Sequence, residues 1–263
     1  MGIRVLGTGS YLPEKVVTND DIAKSLDTND EWIYSHTGIH SRHVAGPEET
    51  TATMGAEAAR RALAMAGVDP LEVGLIVLAT TTPDYNVFPS TACVVQDLLG
   101  CKNAGAFDLS AACSGFVYAL EQARGFVNFY PDKKAIVIGS ETLTRIVDWS
   151  DRSSCILFGD GAGAVVLGND EAPGVASTKT TAHTILGADG SGKDFITRSG
   201  GTREALPINP ETGVPMPAKP IEPKMNLMGH DVFAFAVRAL SRVASQLCER
   251  METTPAEIDR VFA

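Results

Sequence analysis

The sequence predicts an α/β fold built around a layered, largely parallel sheet. Three observations carry that. Leu75-Ile76-Val77-Leu78-Ala79 and Ala135-Ile136-Val137-Ile138 are uninterrupted apolar runs, as expected of strands buried on both faces. Alanine-rich amphipathic segments alternate with these runs, the pattern of strand–helix–strand units. Glycines at 38, 67 and 100 stand where each helical pattern stops.

Taken in order, residues 3–9 read as a strand. Asn19-Asp20-Asp21 and Asn29-Asp30-Glu31 read as helix starts, each with a capping residue and acidic side chains in the first turn. Residues 51–66 form an amphipathic helix, and 75–79 a core strand. Pro89 is read as the first residue of a helix ending at Leu99. A strand is expected over 104–109, a helix over 113–130, strands over 135–138 and 162–167, and a helix over 231–251. Between them, 188–226 holds six prolines and shows no periodicity, so it reads as a surface excursion.

A faint repeat links 54–79 with 232–263. Each has an alanine-rich helix, then Pro-Leu-Glu or Pro-Ala-Glu, then an apolar run, with Pro70 matching Pro255 and Glu72 matching Glu257. It implies a duplicated unit: an N-terminal half over 1–170 and a partial C-terminal half over 171–263. The second copy stops within a strand, which reads as C-terminal incompleteness.

The chain has 263 residues and a formal net charge of −10, which argues against a general nucleic-acid binder. No stretch is apolar for long enough to span a membrane, and the opening residues, which run straight into a strand-like pattern, are not expected to be a secretory leader. The five cysteines are irregularly spaced without a Cys-x-x-Cys, so reduced thiols, a cytoplasmic location and no metal site are expected.

Cys113 is the leading chemical candidate. It lies in Asp108-Leu109-Ser110-Ala111-Ala112-Cys113-Ser114-Gly115-Phe116, where a buried strand gives way to a helix. The helix dipole there favours thiolate, the nucleophilic form, and small neighbours leave room for a substrate. A buried structural thiol is the alternative. Gly159-Asp160-Gly161-Ala162-Gly163 is not a phosphate loop, because no Lys-Ser/Thr follows and a strand, not a helix, comes next. It reads as a tight turn. Trp32 could stack on an aromatic ligand and Arg152 could supply a planar cation. His36, His40 and His43 read as solvent-facing, and no histidine stands where it would serve Cys113 as a base.

Together these motifs resemble β-ketoacyl-[acyl-carrier-protein] synthase III, a condensing enzyme of the thiolase superfamily. Carrying the resemblance are Gly7-Thr8-Gly9-Ser10-Tyr11-Leu12-Pro13, Glu31-Trp32-Ile33 with Thr37-Gly38-Ile39, Phe88-Pro89-Ser90-Thr91-Ala92-Cys93, the Cys113 segment, and 157–164. It implies a thiolase-like duplicated βαβαβαββ layered fold, its second half incomplete, and a homodimer. It implies the initiating condensation of fatty acid synthesis: acyl-CoA, taken as acetyl-CoA, plus malonyl-acyl carrier protein, through an acyl-Cys113 thioester and with no cofactor.

By the same resemblance, Thr28, Trp32, Arg152 and Phe233 line the CoA site. Phe88, offered across the dimer, Leu143 and Phe158 line the acyl pocket. The family's His-Gln-Ala-Asn motif would follow Ala263, so condensation is expected to be impaired in these 263 residues. His36, His230 and Ala234 stand where the family usually has arginine, asparagine and lysine. A non-catalytic CoA-binding or dimerising remnant, and a secondary-metabolism acyltransferase, are the competing readings.

Overall fold

The computed structural model describes residues 3–169, 183–198, 210–212 and 225–261. Five strands form the central sheet: β1 (Ile3–Tyr11), β4 (Val73–Ala79), β5 (Gly105–Leu109), β6 (Lys134–Thr142) and β7 (Asp160–Asn169). Their order is β1-β7-β6-β4-β5. The β6–β4 and β4–β5 pairs are parallel, but β1–β7 and β7–β6 are antiparallel. The sheet is therefore mixed rather than largely parallel. The reason is connectivity: residues 143–159 between β6 and β7 hold only a 3₁₀ turn and one turn of helix, with no crossover helix to carry the chain back along the sheet, so β7 returns antiparallel beside its predecessor.

Successive side chains of the central strands point to opposite layers. Ile76, Leu78, Ile136 and Ile138 pack with α3 (Thr51–Ala66) and α4 (Thr91–Leu99). Val77, Val137 and Leu167 pack on the other face with Ala119, Ala123 and Val127 of α5 (Gly115–Phe129). Each such buried aliphatic contributes about 1.5–3 kcal/mol. Burial on both faces explains why these strands show continuous runs rather than alternation.

The helix ends follow from local chemistry. Thr50 caps α3, and Gly67 ends it at φ 62°. Gly100 ends α4 at φ 70°. Pro89 is not the first residue of α4, because Ser90 takes the cap position and accepts a hydrogen bond from the Cys93 amide, leaving Pro89 one residue outside. The 113–130 helix begins as a single 3₁₀ turn, Ala112–Ser114, before α5 proper.

A smaller layer lies over one end: β2 (Val16–Thr18) paired with β3 (Ser41–His43), α1 (Asn19–Ala23), α2 (Asp30–Thr37) and the one-turn α6 (Arg152–Cys155). Within the 188–226 excursion, β8 (Ile196–Arg198) pairs antiparallel with β9 (Met225–Leu227), so its flanks are an ordered ribbon rather than irregular chain. Five of its six prolines lie outside the described residues. α7 (Gly229–Arg250) follows.

The two ends of the faint repeat share local structure. Asp69 with Glu72, and Thr254 with Glu257, each form a capping box on a 3₁₀ turn opened by proline. No strand follows the second turn among the described residues, and Phe262 and Ala263 fall outside them.

β1 lies directly on the alanine face of α3. A Cβ on Gly9 would sit 2.2 Å from the Ala58 carbonyl oxygen and 2.6 Å from the Ala62 nitrogen, both backbone atoms that cannot yield. Gly163, on neighbouring β7, has nothing within 4 Å of the same position. Gly9→Ala is expected to lower unfolding free energy by about 3 kcal/mol, whereas Gly163→Ala should stay within about 0.5 kcal/mol. Urea denaturation of both variants checks this, and equal midpoints would contradict it.

Candidate active site

Ala79, the last residue of β4, is paired with Leu109, the last of β5, and with Gly139, beyond which β6 runs on to Thr142. The carboxyl ends of these strands form one edge, where open α/β sheets bind ligands. The segments leaving that edge carry Thr80–Phe88 after β4, Cys113 after β5, and Leu143 after β6.

At the end of β5 the chain turns sharply. Ala111 has φ −144° and ψ 30°, and Ala112 has φ +46°. A left-handed alanine costs about 1–3 kcal/mol, and such strain collects at functional positions. Gly115 allows the turn to close, because a Cβ there would lie 3.1 Å from the Ala79 Cβ. The result is an exposed Cys113 at the amino-terminal end of a 15-residue helix. Negative charge developing at its sulfur would face the positive end of that helix dipole.

The other cysteines differ. Cys101 and Cys155 are buried, and burial raises both thiols, Cys101 to about 11. Cys93 is exposed, and its sulfur accepts a hydrogen bond from the Ser90 hydroxyl at 3.0 Å.

The neighbouring loop is pinned at both ends. Glu141 accepts hydrogen bonds from the Thr81 amide at 2.8 Å and from the hydroxyls of Thr80, Thr81 and Thr82. Asp108 accepts from the Thr91 and Ala92 amides, both at 2.7 Å, at the start of α4. Phe88 projects from this loop, 80% exposed.

A second group of candidates meets beside the edge. The Arg152 guanidinium lies 4.9 Å from the Trp32 ring centroid. Arg152 also donates to the Asp27 carbonyl at 2.6 Å. The Thr28 hydroxyl is buried without a hydrogen-bond partner among the described residues. Trp32 and Phe158 both pack against the cluster of Ile22, Ile33, Val147, Cys155 and Ile156. Leu143 is half-buried in the turn after β6. Phe233, on α7, is 70% exposed and is not drawn into this cluster.

The histidines have other engagements. His36 stacks on Trp32 with centroids 4.4 Å apart, and its Nδ1 lies 2.7 Å from the Trp32 carbonyl oxygen. His40 meets Asp30. His43 is half-buried rather than solvent-facing, because its Nδ1 bonds the Pro13 carbonyl oxygen. Among the described residues no hydrogen bond joins a histidine to Cys113, and no His/Cys/Asp/Glu group could hold a metal ion. No helix among them is long and apolar enough to cross a membrane.

The glycines at 159–163 serve packing but not as a tight turn: Asp160–Gly163 are the first residues of β7, paired along β6. A Cβ on Gly161 would meet Leu12 at 2.9 Å, and buried Asp160 accepts from the Ala45 and Thr144 amides. Arg42 was not singled out by sequence, yet its side chain is only 5% exposed. The strand-like Ser41-Arg42-His43 carries no pattern that marks its middle residue as buried.

A mixed sheet presenting a cysteine at its carboxyl edge, above a helix amino terminus, defines the thiolase-like condensing enzymes. The comparisons with known proteins agree. Residues 107–190 match the family model for 3-oxoacyl-[acyl-carrier-protein (ACP)] synthase III. The β-ketoacyl-[acyl-carrier-protein] synthase III of Xylella fastidiosa is 47% identical over 256 residues, 97% of this chain and 74% of that protein. The crystal structure of the 3-oxoacyl-[acyl-carrier-protein] synthase III of Aquifex aeolicus superposes with TM-score 0.75 at 39% identity, covering 98% of this chain and 74% of that one. A priming β-ketosynthase of the R1128 polyketide pathway superposes with TM-score 0.76 at 37% identity, over 92% and 68%. The chain belongs to the β-ketoacyl-[acyl-carrier-protein] synthase III family. It is an acyltransferase of the initiating condensation of fatty acid synthesis.

Two tests follow from the pinned loop and from α6. Asp108→Ala leaves two amides at the start of α4 without their acceptor, at a cost of about 1–3 kcal/mol in urea unfolding. An unchanged midpoint would contradict that role. Asp151 caps α6, and its carboxyl is held below the usual range first by the Ser153 hydroxyl, with partial burial opposing. A lowered folded value means the cap contributes above the ordinary aspartate pKa of about 3.9 and is lost as pH falls through the lower one. Hydrogen-exchange protection of the Ser153 amide should therefore hold from neutrality to about pH 4 and fall below it. Loss already near pH 6 would contradict the assignment.

Proposed function

We propose that Cys113 is the acyl acceptor of this enzyme and that acyl-CoA, acetyl-CoA first among primers, is the donor. The Cys113 thiolate attacks the thioester carbonyl, the carbon–sulfur bond to CoA breaks, and the CoA thiolate leaves and takes up a proton. Malonyl-acyl carrier protein then loses CO2. Its carbanion attacks the acyl-Cys113 carbonyl and releases the cysteine as 3-oxoacyl-carrier protein forms. No cofactor enters either half.

The observation that carries this reading is the exposed sulfur two residues before α5, after a left-handed Ala112. In this reading Trp32 and Arg152 offer the CoA adenine an indole and a guanidinium; at 4.9 Å the two now contact each other, so the guanidinium swings off the ring to admit the flat base. The Thr28 hydroxyl, buried without a partner among the described residues, supports the same placement, since a buried polar group calls for one. Leu143 and Phe158 would bound the acyl group, and Phe233 the pantetheine arm.

Partnering is proposed as a homodimer, acting in the cytoplasm. β5 is an edge strand of the sheet, with Phe107 exposed on it and Phe88 exposed nearby. An uncovered edge of that kind favours pairing with another chain. Such a dimer would offer Phe88 to the acyl pocket of its partner. The polyketide priming relative keeps other primers in view, and a series of acyl-CoA lengths would reveal them.

Intact-protein mass spectrometry after incubation with acetyl-CoA is expected to show one acetyl adduct. Cys113→Ala should abolish it without changing the thermal melt. An adduct of equal yield on Cys113→Ala would overturn the assignment.

A further inference from the structure

The two halves of the CoA cradle come from segments far apart in sequence. Trp32 stands on α2, and Arg152 on the single turn α6. Keeping a guanidinium on α6 within reach of an indole on α2 requires the two segments to be held together. A four-residue helix does not supply that rigidity alone.

One buried side chain connects the two. Arg42 Nη2 donates to the Ile156 carbonyl oxygen at 3.1 Å, one residue beyond α6. The same nitrogen donates to Asn19 Oδ1 at 2.8 Å, and Nη1 donates to the Val17 carbonyl oxygen at 3.2 Å. Asn19 is 1% exposed. Its amide donates at 2.8 Å to Asp30, the first residue of α2, and at 2.7 Å to the Ile39 carbonyl oxygen just past that helix. A continuous chain of hydrogen bonds thus runs from α6 through Arg42 and Asn19 to both ends of α2.

The chemistry of this bridge is unusual. Arg42 is met by neutral oxygens, with no carboxylate recorded against it among the described residues, and its Nε finds no partner. Burial lowers the pKa of its guanidinium. Burying a cation without a counter-charge is costly, and an apolar side chain of similar volume would fill the same space more cheaply. What an apolar side chain lacks is the planar fork, which aims donors at several fixed acceptors at once.

We propose that Arg42 is a positioning residue for CoA recognition: through Ile156 on one side and Asn19 on the other, it sets the spacing between Arg152 and Trp32. The inference rests on the reading of Trp32 and Arg152 as the nucleotide cradle. It concerns only the part of the donor bound far from the sulfur. Weakening the bridge therefore acts on affinity for the nucleotide end and leaves the reaction at Cys113 alone.

The test measures acetyl loading of Cys113 by intact mass as a function of donor concentration. One donor is acetyl-CoA, and the other is S-acetyl-N-acetylcysteamine, which carries the thioester without a nucleotide. For Arg42→Lys, which keeps the charge but not the fork, half-saturating acetyl-CoA should rise about 10-fold. The saturated rate, and the rate with the short thioester, should change by less than about two-fold. Asn19→Ala, which breaks the α2 side of the bridge, should reproduce the split.

Equal loss with both donors, no change with either, or failure of both variants to fold would each overturn the proposal. Trp32→Ala separates it from the reading beneath it. If that variant loads from acetyl-CoA with unaltered half-saturation, the cradle itself is wrong. If it is impaired while Arg42→Lys and Asn19→Ala are not, only the positioning role fails.

Discussion

The whole arrangement depends on one constraint: β4 and β6 are buried on both faces and run parallel with β5. Ile76, Val77, Leu78, Ile136, Val137 and Ile138 are all fully buried, so neither strand can shift register by one residue without exchanging its two layers. The shared register brings the carboxyl ends of β4 and β5 level, with β6 running three residues beyond them at the same edge. Everything with chemical potential then leaves from that edge: the threonine-anchored loop, the Ala112 turn with Cys113, and the segment leading to Arg152. The site is a consequence of topology before it is a consequence of any single side chain.

Strain and rigidity divide along the same line. The Ala112 backbone is left-handed, yet it sits between β5, paired along β4, and a helix whose first residue, Gly115, abuts Ala79. The loop after β4 is held by carboxylates that accept from amides and hydroxyls, Glu141 and Asp108 foremost. Asp84 adds the Thr50 hydroxyl at 2.7 Å. The proposed nucleotide cradle is built differently. It rests on short helices and one buried arginine, so its geometry is more easily disturbed than that of the nucleophile.

Much of this was legible in the residues. Caps and stops such as Gly38, Gly67 and Gly100 mark helix ends because only glycine adopts their left-handed backbone cheaply. The core strands announce themselves as apolar runs. Cys113 stood out because it falls between a strand and a helix. Strand direction was not legible: local composition does not say that β7 runs against β6. The α4 start was misplaced by two residues because Pro89 and Ser90 both suit a helix entrance, and only the Ser90 hydroxyl bond decides between them. The pairing of β8 with β9 escaped notice because each is three residues long and lies in proline-rich sequence. Arg42 was invisible for a similar reason, since a buried polar hub leaves no periodic trace.

The central claim is that this edge presents Cys113, and no other thiol, to a CoA-bound substrate. Timed alkylation with iodoacetamide, followed by peptide mapping with and without CoA, tests it most directly. The account expects the exposed Cys113 and Cys93 to label well before the buried Cys101 and Cys155, and CoA to slow labelling at Cys113 alone. Labelling of Cys113 no faster than Cys101, or a Cys113 rate that saturating CoA leaves unchanged, would contradict it.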